Sequence, residues 1–193
     1  MVLNHRIIIL VCIFSSLLVI LVSNQNIQGI FHSKSSEEFK TYENPLYGIN
    51  IKYPTDWRYY EKNGPETFSP DRIFQVSFLS PSNKVLSDMV FVWFNIEKIK
   101  DSVSLDDRKN ILLKNLNNSS IDVKVQSTKL SGIDAFMIDY TNKAIELQRN
   151  IGIEAIRDGL LYSLDFTARP DTFEKNLDSI ETMIKSMNIS SFT

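Results

Sequence analysis

Short segments in which every second residue is apolar constrain the fold of this chain more than any other feature. Residues 49–53, 73–79 and 89–96 follow this pattern, which is the period of a β-strand. Further strands are predicted at 121–128, 135–140, 150–156 and 160–167, and Asp158-Gly159 between the last two is typical of a hairpin turn. Because most connections are too short for a crossover helix, the pattern predicts a mainly antiparallel sheet.

Two helices are predicted among these strands. Ser104 is placed as an N-cap with Asp107 three residues later, and a stripe of leucines follows. A closing helix is predicted to begin at Pro170, with Asp171 as its N-cap and Glu174 as the reciprocal partner. Its buried face is predicted to hold Phe173, Leu177, Ile180 and Ile184.

The segment at residues 89–96 is apolar on both faces, because Phe91 and Trp93 alternate with Val92 and Phe94. Such a strand is expected in the centre of a sheet that is covered on both sides. The predicted fold class is therefore α+β, with a mainly antiparallel sheet covered by helices on both faces in an α-β-α sandwich. One N-terminal hydrophobic helix is predicted to precede it.

The predicted N-terminal helix is an uncharged apolar run from Ile7 to Val22. As a helix it would span about 24 Å, somewhat less than a hydrocarbon core of about 30 Å. Both a membrane anchor and a signal peptide fit this length, and the lack of a good small-x-small cleavage site favours an uncleaved anchor. Arg6 precedes the run and Glu37 follows it, so we expect the rest of the chain outside the cytoplasm, or secreted if the segment is cleaved.

The chain is thus predicted to have three parts. Residues 1–23 form the anchor or signal segment, and residues 24–38 form a polar linker rich in Ser, Asn and Gln. Residues 39–193 form one folded domain of ordinary size.

The composition of the domain argues against most catalytic chemistry. Its sequence contains no histidine and no cysteine, because His5, Cys12 and His32 all precede it. The usual proton shuttle, thiol nucleophile and transition-metal ligands are therefore missing from it. The net charge is −2 and the basic residues are scattered, so nucleic-acid binding is not expected. We predict that the protein is not an enzyme. The remaining catalytic alternative is a hydrolase whose catalytic groups are carboxylates, with Asp106 among them.

Two groups of residues are candidates for binding. Tyr and Trp are concentrated in residues 42–60, and Tyr47, Tyr59 and Tyr60 are predicted to contact a protein partner, with packing as the alternative explanation of this density. Carboxylates at Asp101, Asp106 and Asp107 are candidate calcium ligands. The alternative for Asp106 and Asp107 is stabilisation of a helix N-terminus. No other cofactor is predicted.

Several motifs resemble the PsbP-like family. The most specific is Gly48-Ile49-Asn50-Ile51-Lys52-Tyr53-Pro54-Thr55-Asp56-Trp57. The other matching features are Tyr42, Phe78 with Pro81, the Leu105 helix, Gly132, Gly159 with Tyr162, and the Phe173 helix. The resemblance implies an α-β-α sandwich around an antiparallel sheet, and a binding or assembly role. It also implies a relation to plant photosystem subunits that help to retain calcium and chloride, although this chain has an apolar N-terminal segment and no histidine in the domain.

The sequence therefore predicts a non-catalytic, membrane-anchored binding or assembly module outside the cytoplasm. The membrane would be contacted through Ile7 to Val22, and a protein of unknown identity would be the partner. Two alternatives remain open. One is a carrier that holds a small apolar ligand between sheet and helix. The other is an extrinsic, calcium-associated subunit of a membrane complex.

Overall fold

A computed structural model of the chain describes residues 38–66, 70–82, 88–116, 120–142 and 147–190. The predicted anchor at residues 7–22 and the predicted linker, except for Glu38, lie outside the described residues. None of the helices within the described ranges is both long enough and apolar enough to cross a bilayer.

The described residues form ten strands and three helices, most of which are short. In chain order they are β1 (Phe39–Asn44), β2 (Ile49–Pro54), β3 (Arg58–Asn63), β4 (Arg72–Leu79), β5 (Phe91–Lys98), α1 (Leu105–Leu116), β6 (Ser120–Leu130), β7 (Ile133–Asn142), β8 (Gln148–Arg157), β9 (Leu160–Ala168), α2 (Pro170–Lys175), α3 (Leu177–Ser186) and β10 (Asn188–Ile189).

The strands form two antiparallel sheets. The larger has seven strands in the order β3-β4-β5-β9-β8-β7-β6, and the smaller has three in the order β1-β2-β10. The predicted hairpin between β8 and β9 is confirmed. Asp158 and Gly159 have φ values of 55° and 72°, as a two-residue turn with left-handed residues at both central positions requires.

One face of the large sheet is closely packed, and we call it the packed face. The small sheet and helices α2 and α3 lie against it, and α3 contacts β2. Phe78 of β4 meets Tyr42 and Tyr53 of the small sheet at ring-centroid distances of 5.7 and 5.0 Å. Phe94 of β5 and Phe173 of α2 are completely buried. Burial of this much apolar surface is the main favourable contribution to folding.

Among the described residues, much less of the chain covers the opposite face of the large sheet, which we call the open face. Helix α1 lies mainly against β7 and β8 on this face. The β5 side chains on this face, Phe91, Trp93, Asn95 and Glu97, are each partly exposed, whereas those on the packed face are buried. The central strands therefore carry apolar side chains on the packed face and a mixture of polar and apolar side chains on the open face.

The predicted sandwich with helices over both faces is wrong. A second sheet covers much of the packed face, and within the described ranges the open face has a single helix over a few strands. Two physical reasons explain the error. Only β2 was recognised of the strands that form the small sheet, and the apolar pair Phe91 and Trp93 tolerates partial exposure, because folded proteins keep much apolar surface in contact with water.

Individual elements agree with the sequence to different degrees. The Ser104 cap is confirmed, since the Asp107 backbone N–H donates to Ser104 Oγ at 3.1 Å and the Ser104 N–H donates to Asp107 Oδ2 at 2.9 Å. The predicted cap at Asp171 is wrong. Helix α2 begins after Arg169, without a side-chain cap, and Asn176 separates α2 from α3. Strand β3 has no predicted counterpart because all six of its residues are exposed.

Candidate functional site

A cleft of about 390 Å³ lies on the open face. Its floor consists of strands from β4 across to β7, and Leu112 of α1 forms part of its wall. The side chains on its surface are mixed rather than apolar, and they include Arg72, Trp93, Tyr140, Glu154, Asp165 and Thr167. A small-molecule site commonly combines apolar walls with a few polar groups in this way.

A paired charge connects α1 to the floor of the cleft. Arg108 Nε donates to Glu154 Oε2 at 3.0 Å, and Arg108 Nη2 donates to Glu154 Oε1 at 2.8 Å. This two-point geometry is the strongest form of an arginine–carboxylate interaction. It raises the pKa of Arg108, chiefly through the hydrogen bond to Glu154. Because Glu154 is only 6% exposed, the pair fixes the helix over β8.

A second arginine is held at the β4 end of the cleft. Arg72 is buried, and its guanidinium donates to Gln75 at 3.0 Å and lies 2.9 Å from Glu66. Hydrogen bonds from Arg72 and then Lys62 lower the pKa of Glu66 to about 2. The positive charge of Arg72 is therefore already balanced within the domain.

Asp165 is the carboxyl group at the centre of the open face. It lies on β9, opposite Trp93 of β5 and Gly152 of β8. Burial raises its pKa to about 7, the negative charges of Glu154 and Glu97 add to this rise, and a hydrogen bond from Ser163 opposes it. A group with such a pKa changes charge near neutral pH.

Gly152 provides the room for the Asp165 carboxyl group. A β-carbon on Gly152 would lie 2.9 Å from Asp165 Oδ1 and 3.4 Å from Ile138. The first distance is shorter than side-chain contacts normally allow, so a larger residue would displace the carboxyl group. Beside it, Asn95 Nδ2 donates to Ser163 Oγ at 3.3 Å, which continues the polar row along the face.

An aromatic pair adjoins this polar row. The rings of Phe91 and Trp93 are nearly parallel, with 5.8 Å between centroids and 12° between planes. Both side chains are partly exposed, and Trp93 lines the cleft. A flat, partly exposed aromatic surface next to a carboxyl group is suited to binding an organic ligand.

The structure places the three predicted contact tyrosines in different settings. Tyr59 and Tyr60 are 46% and 56% exposed on edge strand β3, but adjacent residues of a strand point to opposite faces. Tyr59 packs near Tyr42 with 5.1 Å between ring centroids, and Tyr47 stacks on Phe74 with 4.5 Å between centroids. Their contact with a partner stays a prediction, and the structure does not bring them onto one surface.

The three predicted calcium ligands lie at or near the start of α1. Asp107 accepts hydrogen bonds from Ser104, Asp106 pairs with Lys109, and Asp101 is in the preceding turn. Among the described residues there is no group of three or more metal-binding side chains. Calcium binding here stays a prediction, and it would appear as a rise in melting temperature on addition of millimolar calcium.

Sequence reasoning did not find the residues that line the cleft. A usable signal exists, because polar residues interrupt otherwise apolar strands at Asn95, Glu154, Ser163 and Asp165. These positions share one face, and buried polar groups at the centre of a sheet require partners. What the pattern lacks is the pairing of β5 with β9, which decides that Asn95 lies beside Ser163.

The fold and the cleft together define a class: a mostly antiparallel domain of two sheets and a few short helices, with a mixed polar and aromatic site on its less covered face. A family model described as PsbP-like protein matches residues 1–189, so the chain belongs to the PsbP-like family. The family resemblance inferred from the sequence is therefore confirmed. No match was found among curated protein sequences.

Two solved structures have the same fold. Cyanobacterial PsbP (CyanoP) from Synechocystis sp. PCC 6803 aligns with a TM-score of 0.57 and 12% identity, over 81% of this chain and 95% of that chain. LpqN of Mycobacterium tuberculosis, which is described as involved in cell envelope biogenesis, aligns with a TM-score of 0.54 and 13% identity, over 82% of this chain and 94% of that chain. At these identities the likeness concerns the fold alone.

Proposed function

We propose that this protein is a non-catalytic binding module that works outside the cytoplasm, attached to a membrane through residues 7–22, and that it binds through the cleft on its open face. The observation that carries this proposal is the difference in cover between the two faces. The packed face is filled with apolar side chains, whereas on the open face Trp93 and Asp165 are partly exposed and line a cleft beside α1.

The state of the cleft carboxylates supports binding rather than catalysis. A hydrolase that uses two carboxyl groups needs both to be free to exchange protons or attack. Both oxygens of Glu154, the carboxylate nearest to Asp165 across the strands, accept hydrogen bonds from Arg108. The paired carboxylate is suited to holding α1 in position, which leaves Asp165 and Glu97 as the cleft carboxyl groups that a ligand can contact.

The relatives support the proposed location. LpqN, which shares the fold, takes part in biogenesis of the cell envelope. The apolar segment at residues 7–22 falls within the span of the family match. Both observations fit a domain held on the outer side of a membrane.

An apolar-ligand carrier receives less support. Phe94, Phe173, Ile180 and Met183 are completely buried where such a ligand would have to lie between the large sheet and the helices. The cleft on the other face contains charged side chains, which would lose hydration without compensation on contact with a purely apolar ligand.

Photo-crosslinking in intact membranes tests the proposed binding face. A photoreactive amino acid would replace Asn150, which lines the cleft, or Lys175, which is exposed on α2, in the full-length protein. We expect a reproducible, specific adduct from position 150 and none from position 175. A third variant at Tyr59 reports on the exposed aromatic edge.

Two results would contradict the proposal. An adduct that forms at position 59 but not at position 150 would assign binding to the edge strand and its tyrosines. Release of the full-length protein from membranes by high salt alone would contradict anchoring through residues 7–22, because an apolar helix is not displaced by screening of charges.

A further inference from the structure

A carboxyl group without a cationic partner lies in the cleft. None of the Lys and Arg side chains in the described part of the chain forms an ion pair with Asp165, whereas Arg108 and Arg72 are paired with Glu154 and Glu66. The polar contact of Asp165 is the hydrogen bond from Ser163. Once ionised, Asp165 therefore presents a negative charge that a bound cation can balance.

A second polar group in the cleft also lacks a partner. Thr167 lines the cleft two residues from Asp165 on the same face of β9, and only 9% of it is exposed. Its Oγ1 atom has no hydrogen-bond partner among the described residues. A buried hydroxyl group in this state costs free energy, and because its oxygen is covered in the structure it does not itself face a ligand.

The walls around these two groups determine the kind of cation. Trp93 and Tyr140 contribute aromatic rings, and Ile138 and Leu112 contribute aliphatic surface. Aromatic rings attract ammonium and guanidinium groups, and aliphatic surface favours the alkyl chain that carries such a group. A metal ion is less suited, since it requires several oxygen ligands around one point.

We propose that the cleft binds an organic cation, with its ammonium group paired to Asp165 and its alkyl chain between Trp93, Ile138 and Leu112. This inference rests on the proposed function, because it assigns a ligand class to the same cleft. A volume of about 390 Å³ is at the lower end of the range for small-molecule sites, which fits a short alkylamine.

The charge state of Asp165 makes this binding dependent on pH. Its carboxyl group has a pKa of about 7, so it is mostly protonated on the acidic side of neutrality and ionised on the basic side. The charged groups around it are Glu154 on β8 with Arg108 on α1, Glu97 on β5 and Arg72 on β4, and Tyr140 on β7 faces it with a raised pKa. Since only the ionised carboxylate attracts an ammonium ion, affinity increases as pH rises through this range.

The test uses the full-length protein in detergent and follows the indole N–H signals of its two tryptophans by NMR. Trp93 lines the cleft, while Trp57 is 2% exposed and serves as an internal control. The probe is pentylammonium chloride. We expect a saturable shift of the Trp93 signal with no shift of the Trp57 signal, and an apparent Kd about tenfold lower at about pH 8 than at about pH 6.

Two charge-matched variants sharpen the test. Asp165→Asn removes the proposed partner and is expected to weaken binding about tenfold or more. Asp158→Asn removes an exposed carboxylate from the β8–β9 turn, where asparagine also tolerates a positive φ, and is expected to leave the Kd unchanged. The pH dependence of the unaltered protein provides a second measurement that needs no variant.

Several results would overturn the proposal. Equal shifts with 1-pentanol would mean that the ammonium charge is irrelevant, and saturable binding of methyl glucoside without pentylammonium binding would mean a sugar site. A calcium-induced shift that Asp165→Asn abolishes would mean a metal site. A cleft adduct in the crosslinking experiment together with no amine binding would leave the binding module standing and refute only the ligand class.

Discussion

The two faces of the seven-stranded sheet differ in how deeply their side chains are buried. On the packed face, Phe94 and its neighbours are completely buried beneath the small sheet and two helices. On the open face, the adjacent residue of the same strand, Trp93, stays partly exposed beside Asp165. Because both faces share one set of backbone hydrogen bonds, the difference lies entirely in the side chains and their cover.

This difference separates stability from binding. Apolar burial on the packed face supplies the free energy that holds the strands together. The open face can then keep groups that cost stability, such as a carboxyl group with a raised pKa and a hydroxyl group without a partner. Costly polar groups at the centre of a stable sheet are a property expected of a binding site.

The largest effect should come from comparing adjacent residues of β5. Phe94→Ala removes a completely buried ring and is expected to lower the free energy of unfolding by about 3–5 kcal/mol. Trp93→Ala removes a partly exposed ring from the open face and is expected to cost about 1 kcal/mol. Urea unfolding measures both. Equal costs would show that the two faces contribute alike to stability.

The next effect concerns the ion pair beneath α1. Arg108→Ala leaves the Glu154 carboxylate buried without its cation and is expected to cost about 2–3 kcal/mol in thermal or urea unfolding. Lys129→Ala breaks the exposed pair with Asp134 and is expected to cost less than about 0.5 kcal/mol. The double variant Arg108→Leu with Glu154→Leu should recover most of the loss, and a failure to recover would mean that the pair does more than neutralise a charge.

The substitution Asp165→Asn is expected to raise the free energy of unfolding, whereas the preceding substitutions lower it. Its folded-state pKa of about 7 lies above the reference value of 3.8, so the folded protein holds the proton more tightly and loses stability as pH rises between these values. Asp165→Asn removes this loss, and after allowance for partial exposure we expect the variant to be more stable by about 2 kcal/mol at about pH 8. The gain should fall steadily below about pH 7 and be nearly lost at about pH 3, where the carboxyl group is mostly protonated in both the folded and the unfolded state.

Melting temperatures recorded across this pH range check the Asp165 prediction. The exposed control Asp158→Asn should show no such gain at any pH. A stability difference between Asp165→Asn and the unaltered protein that does not change with pH would contradict the proposed titration. The same result would also argue against the pH-dependent charge of Asp165 on which amine binding depends.

The smallest effect should be confined to the helix over the open face. Ser104→Ala removes the N-cap of α1 and is expected to cost about 1 kcal/mol. Hydrogen exchange should speed up at the α1 amides while the amides of β5 and β9 stay protected. Ser102→Ala, in the preceding turn, serves as the control. Equal acceleration in the large sheet would mean that α1 is part of the folding core.

Local patterns predicted much of the fold but not its arrangement in layers. Alternation placed most strands of the large sheet, and the Asp158-Gly159 turn and the Ser104 cap were found because their chemistry is local. Strand β3 was missed because its exposed polar residues carry no periodic signal. Helix cover on both faces was predicted because Phe91 and Trp93 looked like core residues, yet their exposure is decided by what packs nearby.

The candidate site was even less accessible to sequence reasoning. The predicted β8–β9 turn sets the register that pairs Gly152 with Asp165 and so brings Glu154 near Asp165, but Trp93 comes to lie opposite Asp165 only through the pairing of β5 with β9. The helix partner of Glu154, Arg108, is also distant in sequence. The pairing of β5 with β9 and the placement of α1 depend on the sum of many long-range contacts, so no single motif encodes them.

By itself, the sequence determined the family, the antiparallel strands and the separation between an apolar N-terminal segment and a domain without histidine or cysteine. Only the tertiary structure decided which face stays open, which carboxyl group has no cation and where a ligand fits. The physical reason is the distance along the chain over which each kind of interaction acts. Strand period, turns and caps arise from neighbours in the chain, whereas burial and charge balance arise from residues that folding brings together.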